Sequence, residues 1–279
     1  MTNNSPKITL NDGYEIPQIG LGTYKMDEAT ARRCVREAID LGYRHIDTAA
    51  FYKNERGVGQ AIKEAIKDGV VEREDLYVTT KIWHNYHGEE LARGGATASL
   101  ERLDIGYVDL FLVHWPVPSL GKFVETFEVL KELRSEGATN SVGVANFYPE
   151  VLDALPGSLP ALNQIESHPQ YPNNDQIADD NARGIATAAW APLGRGQLFE
   201  DDVVKRVAEE AGGTPAQVVL RWQMQRGLVV IPKSESKERM AENLGAADIV
   251  LDDSQMAAID GLADGSAQIG GDPRHFGEE

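Results

Sequence analysis

Eight short apolar runs, each separated from the next by a longer stretch of mostly helical periodicity, constrain this chain more than any other feature. The runs are Gln18–Leu21, Tyr43–Asp47, Leu76–Thr80, Val108–His114, Ser141–Ala145, Leu162–Glu166, Ala186–Trp190 and Leu228–Pro232. Each has the length of a strand and is short for a helix. Between them, Ala29–Leu41, Glu55–Asp68, Gly88–Leu103, Lys122–Glu136, Asn174–Asn181 and Pro215–Arg226 read as helices. Apolar residues there recur three and four apart, as with Phe123, Phe127, Leu130 and Leu133, the spacing that places them on one helix face. Thr214-Pro215 reads as an N-cap followed by the proline favoured at the first helical position.

A strand joined to the next through a helix returns parallel to it, so the alternation predicts parallel strands with helical crossovers. Eight repeats in 279 residues predict an α/β fold of the (β/α)8 TIM-barrel type, which needs roughly 250 residues. Ahead of the barrel, Lys7–Leu10 and Tyr14–Pro17 flank Asn11-Asp12-Gly13, an N-terminal β-hairpin signal that could plug one barrel end. Extra helices are expected near Asp201–Ala211 and Asp253–Leu262, and Asp264 onward carries glycines without helical pattern. No linker-like stretch divides the chain, so residues 1–279 are read as one domain. An open doubly wound sheet would carry a glycine fingerprint after its first strand, and Gly20-Leu21-Gly22-Thr23 lacks the third glycine.

Charge narrows the partners. Asp and Glu number 44 against 27 Lys and Arg, a net charge of -17, which repels nucleic acid and anionic lipid. The acids are scattered, which predicts a solvated, salt-tolerant surface of the kind expected from a halophilic source. Mean hydropathy is -0.36 and no long apolar run occurs, so no membrane span is expected. Met1 to Lys7 is polar and lacks a signal-peptide core, so a cytoplasmic location is expected. The single cysteine, Cys34, has no internal disulfide partner and falls on a helix as a small core side chain.

Asp47 ends the second expected strand, Tyr52 follows in the loop, Lys81 ends the third and His114 the fourth. In a parallel barrel the carboxyl ends of successive strands share one rim, where active sites are built. Taken singly each residue is weak evidence, since a strand-end Asp is often a helix cap. Their joint placement predicts convergence.

The segments around these residues carry more. Gly42-Tyr43-Arg44-His45-Ile46-Asp47-Thr48-Ala49 is followed by Tyr52, Glu55 and Gly59. Thr79-Thr80-Lys81-Ile82-Trp83, Asp109 to Pro116, and Ile231-Pro232-Lys233-Ser234 with Arg239, Glu242 and Asn243 complete a pattern that resembles the aldo-keto reductase family, in its prokaryotic branch similar to 2,5-diketo-D-gluconate reductase. The resemblance implies an NADPH-dependent (NADP+-forming) oxidoreductase, monomeric, acting on a small carbonyl. It implies that Tyr52 is the general acid, Lys81 lowers its pKa, Asp47 fixes Lys81 and His114 orients the substrate oxygen. It also implies that Asn146 and Gln164 grip the nicotinamide carboxamide, Trp190 stacks on the ring, and Gly22, Thr23 and Asp47 lie nearby. Pro192, Leu193, Gly194 and Gly196 would pass close to the pyrophosphate. Lys233, Ser234 and Arg239 would hold the 2′-phosphate, whose charge suits two cations and a hydroxyl, and Glu242 and Asn243 the adenine. Tyr24, Phe51, Trp83, His84 and Trp115 would wall a substrate pocket left open by a modest tail.

Two positions depart from the family pattern. Ala145 stands where serine usually precedes the carboxamide-binding Asn, and His84 where related enzymes often have Asn. His84 and His87 have an H-x-x-H spacing without a third ligand, so no metal is expected. A non-catalytic NADPH-binding regulator on the same fold would keep Lys233 and Arg239 but could lose the acid, and the intact Tyr52–Lys81 pair argues against it.

Overall fold

A computed structural model describes residues 5–157, 159–265 and 267–277. The N-terminal hairpin forms from β1 (Lys7–Thr9) and β2 (Glu15–Pro17), antiparallel with Ile8 opposite Ile16. Eight parallel strands follow in sequence order: β3 (Leu21–Gly22), β4 (His45–Asp47), β5 (Tyr77–Ile82), β6 (Val108–Val113), β7 (Thr139–Ala145), β8 (Leu162–Glu166), β9 (Ala186–Trp190) and β10 (Val229–Ile231). A parallel bridge between Ile19 and Val230 joins the two ends. There Val230 N–H donates to the Gln18 carbonyl (2.8 Å) and Gly20 N–H to the Val230 carbonyl (2.9 Å), so the sheet closes on itself and leaves no free edge.

The crossovers carry the helices. They are α1 (Glu28–Leu41), α2 (Glu55–Lys67), α3 (Glu89–Leu103), α4 (Phe123–Ser135), α5 (Pro149–Asp153), α6 (Asn174–Ala182), α7 (Asp202–Ala211), α8 (Pro215–Gln225), α9 (Lys237–Leu244) and α10 (Asp253–Asp260). Helix α1 starts where the Asp27 carboxylate accepts from Thr30 N–H and stops at Gly42, whose φ of 110° few other residues adopt. It buries Ala31, Cys34, Val35, Ala38 and Ile39 against the barrel, so Cys34 is a core side chain. Thr214 and Gln217 form a reciprocal capping box on α8. Helix α2 fits closely between its neighbours because it carries glycine at two contacts. A Cβ on Gly57 would lie 2.1 Å from the Glu28 carbonyl oxygen, and one on Gly59 1.8 Å from that of Leu103.

Two apolar layers hold the barrel. Ile46, Val78, Phe111, Val144 and Val230 face outward and pack with Val35, Ile39, Val58 and Ile62 of the helices. Inside, Leu10 and Ile16 of the hairpin region pack with Tyr77, Leu162, Ala186 and Val229, each at the start of its strand. The hairpin therefore plugs the amino-terminal end. Asp47, Lys81 and His114 lie at the opposite, carboxyl-terminal end.

Candidate active site

Asp47 is the last residue of β4, and Lys81 is in the last turn of the β5 ladder, one residue before its end. His114 follows β6 directly, its N–H donating to the Ile82 carbonyl (3.1 Å). Tyr52 closes a single 3-10 turn, Ala50–Tyr52, just after β4. The four expected residues do meet. The Lys81 ammonium, fully buried, donates to Asp47 Oδ1 (2.6 Å) and the Thr48 carbonyl (2.9 Å), and stands 3.5 Å from the Tyr52 hydroxyl. Its three donors thus have three acceptors, which a buried ammonium requires. Asp47 Oδ2 accepts from Gln164 Nε2 (2.8 Å), so both carboxylate oxygens are held.

Burial sets the protonation states. It raises the Tyr52 pKa well above the usual phenol value, and the Asp47 carboxylate and Tyr24 add to the rise. Desolvation of the phenolate is the largest of these effects. Burial lowers Lys81 below the ordinary lysine value, against the opposing pull of Asp47. It drives His114 well below the usual imidazole range, assisted by the Lys81 charge. The ring is neutral, and its buried Nδ1 has no partner among the described residues.

Residues expected at the nicotinamide form a relay. Trp190 Nε1 donates to Asn146 Oδ1 (2.8 Å), and Asn146 Nδ2 donates to the His114 carbonyl (3.0 Å). Asn146 takes a left-handed φ of 62°, a conformation Asn tolerates better than most residues. Ala145, beside it, is buried in the barrel interior. Gly22 N–H donates to the Pro232 carbonyl (3.0 Å), and Thr23 Oγ1 to the Asp47 carbonyl (3.1 Å). After β9, Gly194 and Gly196 have φ of 53° and 81°, next to Leu193 and Pro192, whose carbonyl accepts from Gln223. After β10 come Lys233, paired with Glu235, and buried Ser234, then Arg239, Glu242 and Asn243 on α9. Arg239 is exposed and has no carboxylate within ion-pair distance among the described residues.

The aromatic wall also assembles. Phe51 stacks on Trp83 (centroids 3.9 Å apart), Trp83 meets His114 edge-on (4.9 Å) and His84 at a tilt (4.5 Å), and Tyr24 lies 5.1 Å from Tyr52. The open pocket expected from a modest tail is corrected. Glu166 accepts from Ile269 N–H (2.5 Å) and Gly270 N–H (2.8 Å), with His168 Nε2 behind it at 3.2 Å. Held there, the tail crosses the rim and stacks Phe276 on Trp115 (4.0 Å). Phe276 also meets Trp83 and His84 edge-on. Sequence reasoning missed Phe276, which lies outside any patterned segment, and Glu166, which ends an expected strand but whose partners, Ile269 and Gly270, are over 100 residues away. The Thr48 carbonyl, a backbone acceptor for Lys81, carries no sequence signal of its own.

Similarity to known proteins agrees with this geometry. A sequence profile of the Aldo/keto reductase family matches residues 18–264. The chain is 46% identical over 276 residues to an aldo-keto reductase of Mycolicibacterium smegmatis, spanning 98% of both chains. It is 40% identical over 279 residues to methylglyoxal reductase DkgA of Escherichia coli K12, spanning 98% of this chain and 99% of that one. The crystal structure of a Bombyx mori aldo-keto reductase in complex with NADP superposes with a TM-score of 0.88 at 36% identity, over 94% of each chain. A profile that matches most of the barrel, relatives matched along almost their whole length, and an ion-paired lysine beside a half-buried tyrosine at the rim make this chain a member of the aldo/keto reductase family.

Proposed function

We propose that this enzyme reduces small aldehydes, ketones, dicarbonyls or keto sugars to alcohols, with NADPH as the reductant and Tyr52 as general acid. The observation that carries the reading is the buried Lys81 ammonium set between the Asp47 carboxylate and the Tyr52 hydroxyl. The NADP complex of the Bombyx mori relative and the methylglyoxal reductase name of the Escherichia coli relative support the cofactor and substrate class.

The residues present fit the cofactor. Lys233 and Ser234 after β10 and Arg239 in the first turn of α9 offer two cations and a hydroxyl, a donor set suited to a 2′-phosphate. Gly194 and Gly196 let backbone approach a pyrophosphate closely. When bound, NADPH supplies the hydride. The protein supplies the proton and the orientation. The raised pKa keeps Tyr52 protonated, so its hydroxyl can hydrogen-bond a carbonyl oxygen and release the proton to it as the alcohol forms. The Lys81 ammonium then stabilises the phenolate, and Asp47 holds Lys81 in place. Neutral His114 donates one N–H to the same oxygen and fixes its direction. Trp83, Trp115 and Phe276 exclude water from the pocket. Proton donation by a positioned acid contributes roughly 10²–10⁴ in rate. The acid-rich surface, monomeric state and cytoplasmic setting expected from the sequence belong to the same reading.

The test is NADPH oxidation by the purified protein with methylglyoxal, glyoxal, simple aldehydes and keto sugars. Turnover of at least one class is expected. Tight NADPH binding without turnover of any would replace the enzyme reading with that of a regulator.

A further inference from the structure

Beside the aromatic wall lies a second, solvent-open cavity of about 410 Å³, within the range of small-molecule pockets. It is lined by Phe51, Trp83 and Tyr86, by the cations Lys53, Arg56 and Arg102, and by Glu28 and Glu55 among others. None of Asp47, Tyr52, Lys81 or His114 lines it. Phe51 and Trp83 nevertheless border both this cavity and the catalytic group.

The charges around it do not cancel. Glu55 is already committed: its carboxylate accepts from Thr80 Oγ1 (2.6 Å) and from Arg102 Nε (2.7 Å), and it is 1% exposed. Arg102 is committed to Glu55 and to Ser99. Lys53 and Arg56 are exposed, and among the described residues neither has a carboxylate within ion-pair distance. Exposed Glu28 is the one uncommitted acid in the lining. Two free cations against one free carboxylate give a local positive balance in a chain of net charge -17. Lys53 also has a left-handed φ of 57°, a conformation that disfavours lysine.

We propose that this cavity binds a small organic carboxylate with a planar apolar body. A guanidinium and an ammonium together offer directed donors for both carboxylate oxygens. Phe51, Trp83 and Tyr86 offer the aromatic surface against which a planar body packs. An inorganic anion would satisfy only the first of these. The site is independent of the reductase reading, because binding rather than turnover defines it.

Isothermal titration of benzoate into the cofactor-free protein tests the proposal, with inorganic phosphate as the second probe. Lys53→Asn tolerates the left-handed backbone and Arg56→Gln is on an exposed surface, so the double variant should fold. It is expected to weaken benzoate at least tenfold, while the catalytic-pocket variant Tyr52→Phe stays within twofold of wild type. The reverse pattern would place benzoate at the catalytic group and overturn the proposal. Absence of millimolar binding by wild type, or phosphate binding as tight as benzoate, would overturn it equally.

Discussion

At Tyr52, burial and the Asp47 carboxylate act in the same direction and keep the phenol protonated. An acid that starts with its proton suits reduction, where the developing alkoxide takes it. In the proposed mechanism Lys81 stabilises the phenolate left after transfer, because its ammonium lies 3.5 Å from the Tyr52 oxygen. The same scale governs cofactor choice. Arg239 is exposed at the first turn of α9 without a carboxylate partner among the described residues, while Lys233 is partly neutralised by Glu235. Arg239→Ala should therefore weaken NADPH by roughly 10-fold or more, the scale of a charge-assisted hydrogen bond at about 1.5–3 kcal/mol, and leave NADH almost unchanged. Fluorescence titration of the two cofactors reads this directly; equal losses would remove Arg239 from the 2′-phosphate site.

Among the elements, α2 is the most tightly specified. Gly59 leaves its Cβ position 1.8 Å from the Leu103 carbonyl oxygen, so any larger residue must push α2 away from α3. Gly59→Ala should destabilise the fold by about 1–3 kcal/mol, the usual cost of overpacking, despite alanine's higher helix propensity. Urea unfolding measures it, and a variant as stable as wild type would show that the helices move apart freely. The strands were legible in the sequence because each run is bounded by a helix of clear period. Asp47 and His114 were legible because strand ends in a parallel barrel share a rim, and Lys81 lies one residue inside its strand rather than after it. Helix α5 has five residues, and α9 buries only Met240 and Asn243, so neither presents an apolar stripe long enough to read. The tail was illegible for a different reason. Phe276 reaches Trp115 because Glu166, on β8, holds the backbone of Ile269 and Gly270, and no local pattern encodes a contact over that separation. The links from Gln164 to Asp47 and from Trp190 to Asn146 depend on side-chain direction, which strand assignment leaves open.

The whole molecule is a closed barrel with its hairpin at one end and Asp47, Lys81 and His114 at the other, and it buries titrating groups at both, His45 beside Pro17 of the hairpin among them. Burial pushes His45 and His87 down to about 4 from 6.5, and His114 also well below its usual range. Burial raises Asp180 to about 6 from 3.8. Between pH 6.5 and 4 the unfolded chain binds protons on these histidines that the folded chain refuses, so their contribution is lost as pH falls. Asp180 works oppositely, since its folded form takes a proton first. The three histidines outweigh it, and stability should fall with pH across this window by about 1.4 kcal/mol per unit for each net proton. Urea unfolding at pH 4.5 and 6.5 checks the sign; equal stability would mean that the histidines are solvated. The barrel's main consequence is that four residues from separate segments meet at its rim, where we propose that they act as one reducing group. Single-turnover NADPH oxidation by Tyr52→Phe, with the best carbonyl substrate and saturating cofactor, tests this most directly. We expect the hydride-transfer rate to drop by roughly 10²–10⁴ with NADPH affinity within twofold of wild type. A rate within a few-fold of wild type would contradict the assignment of Tyr52 as the acid.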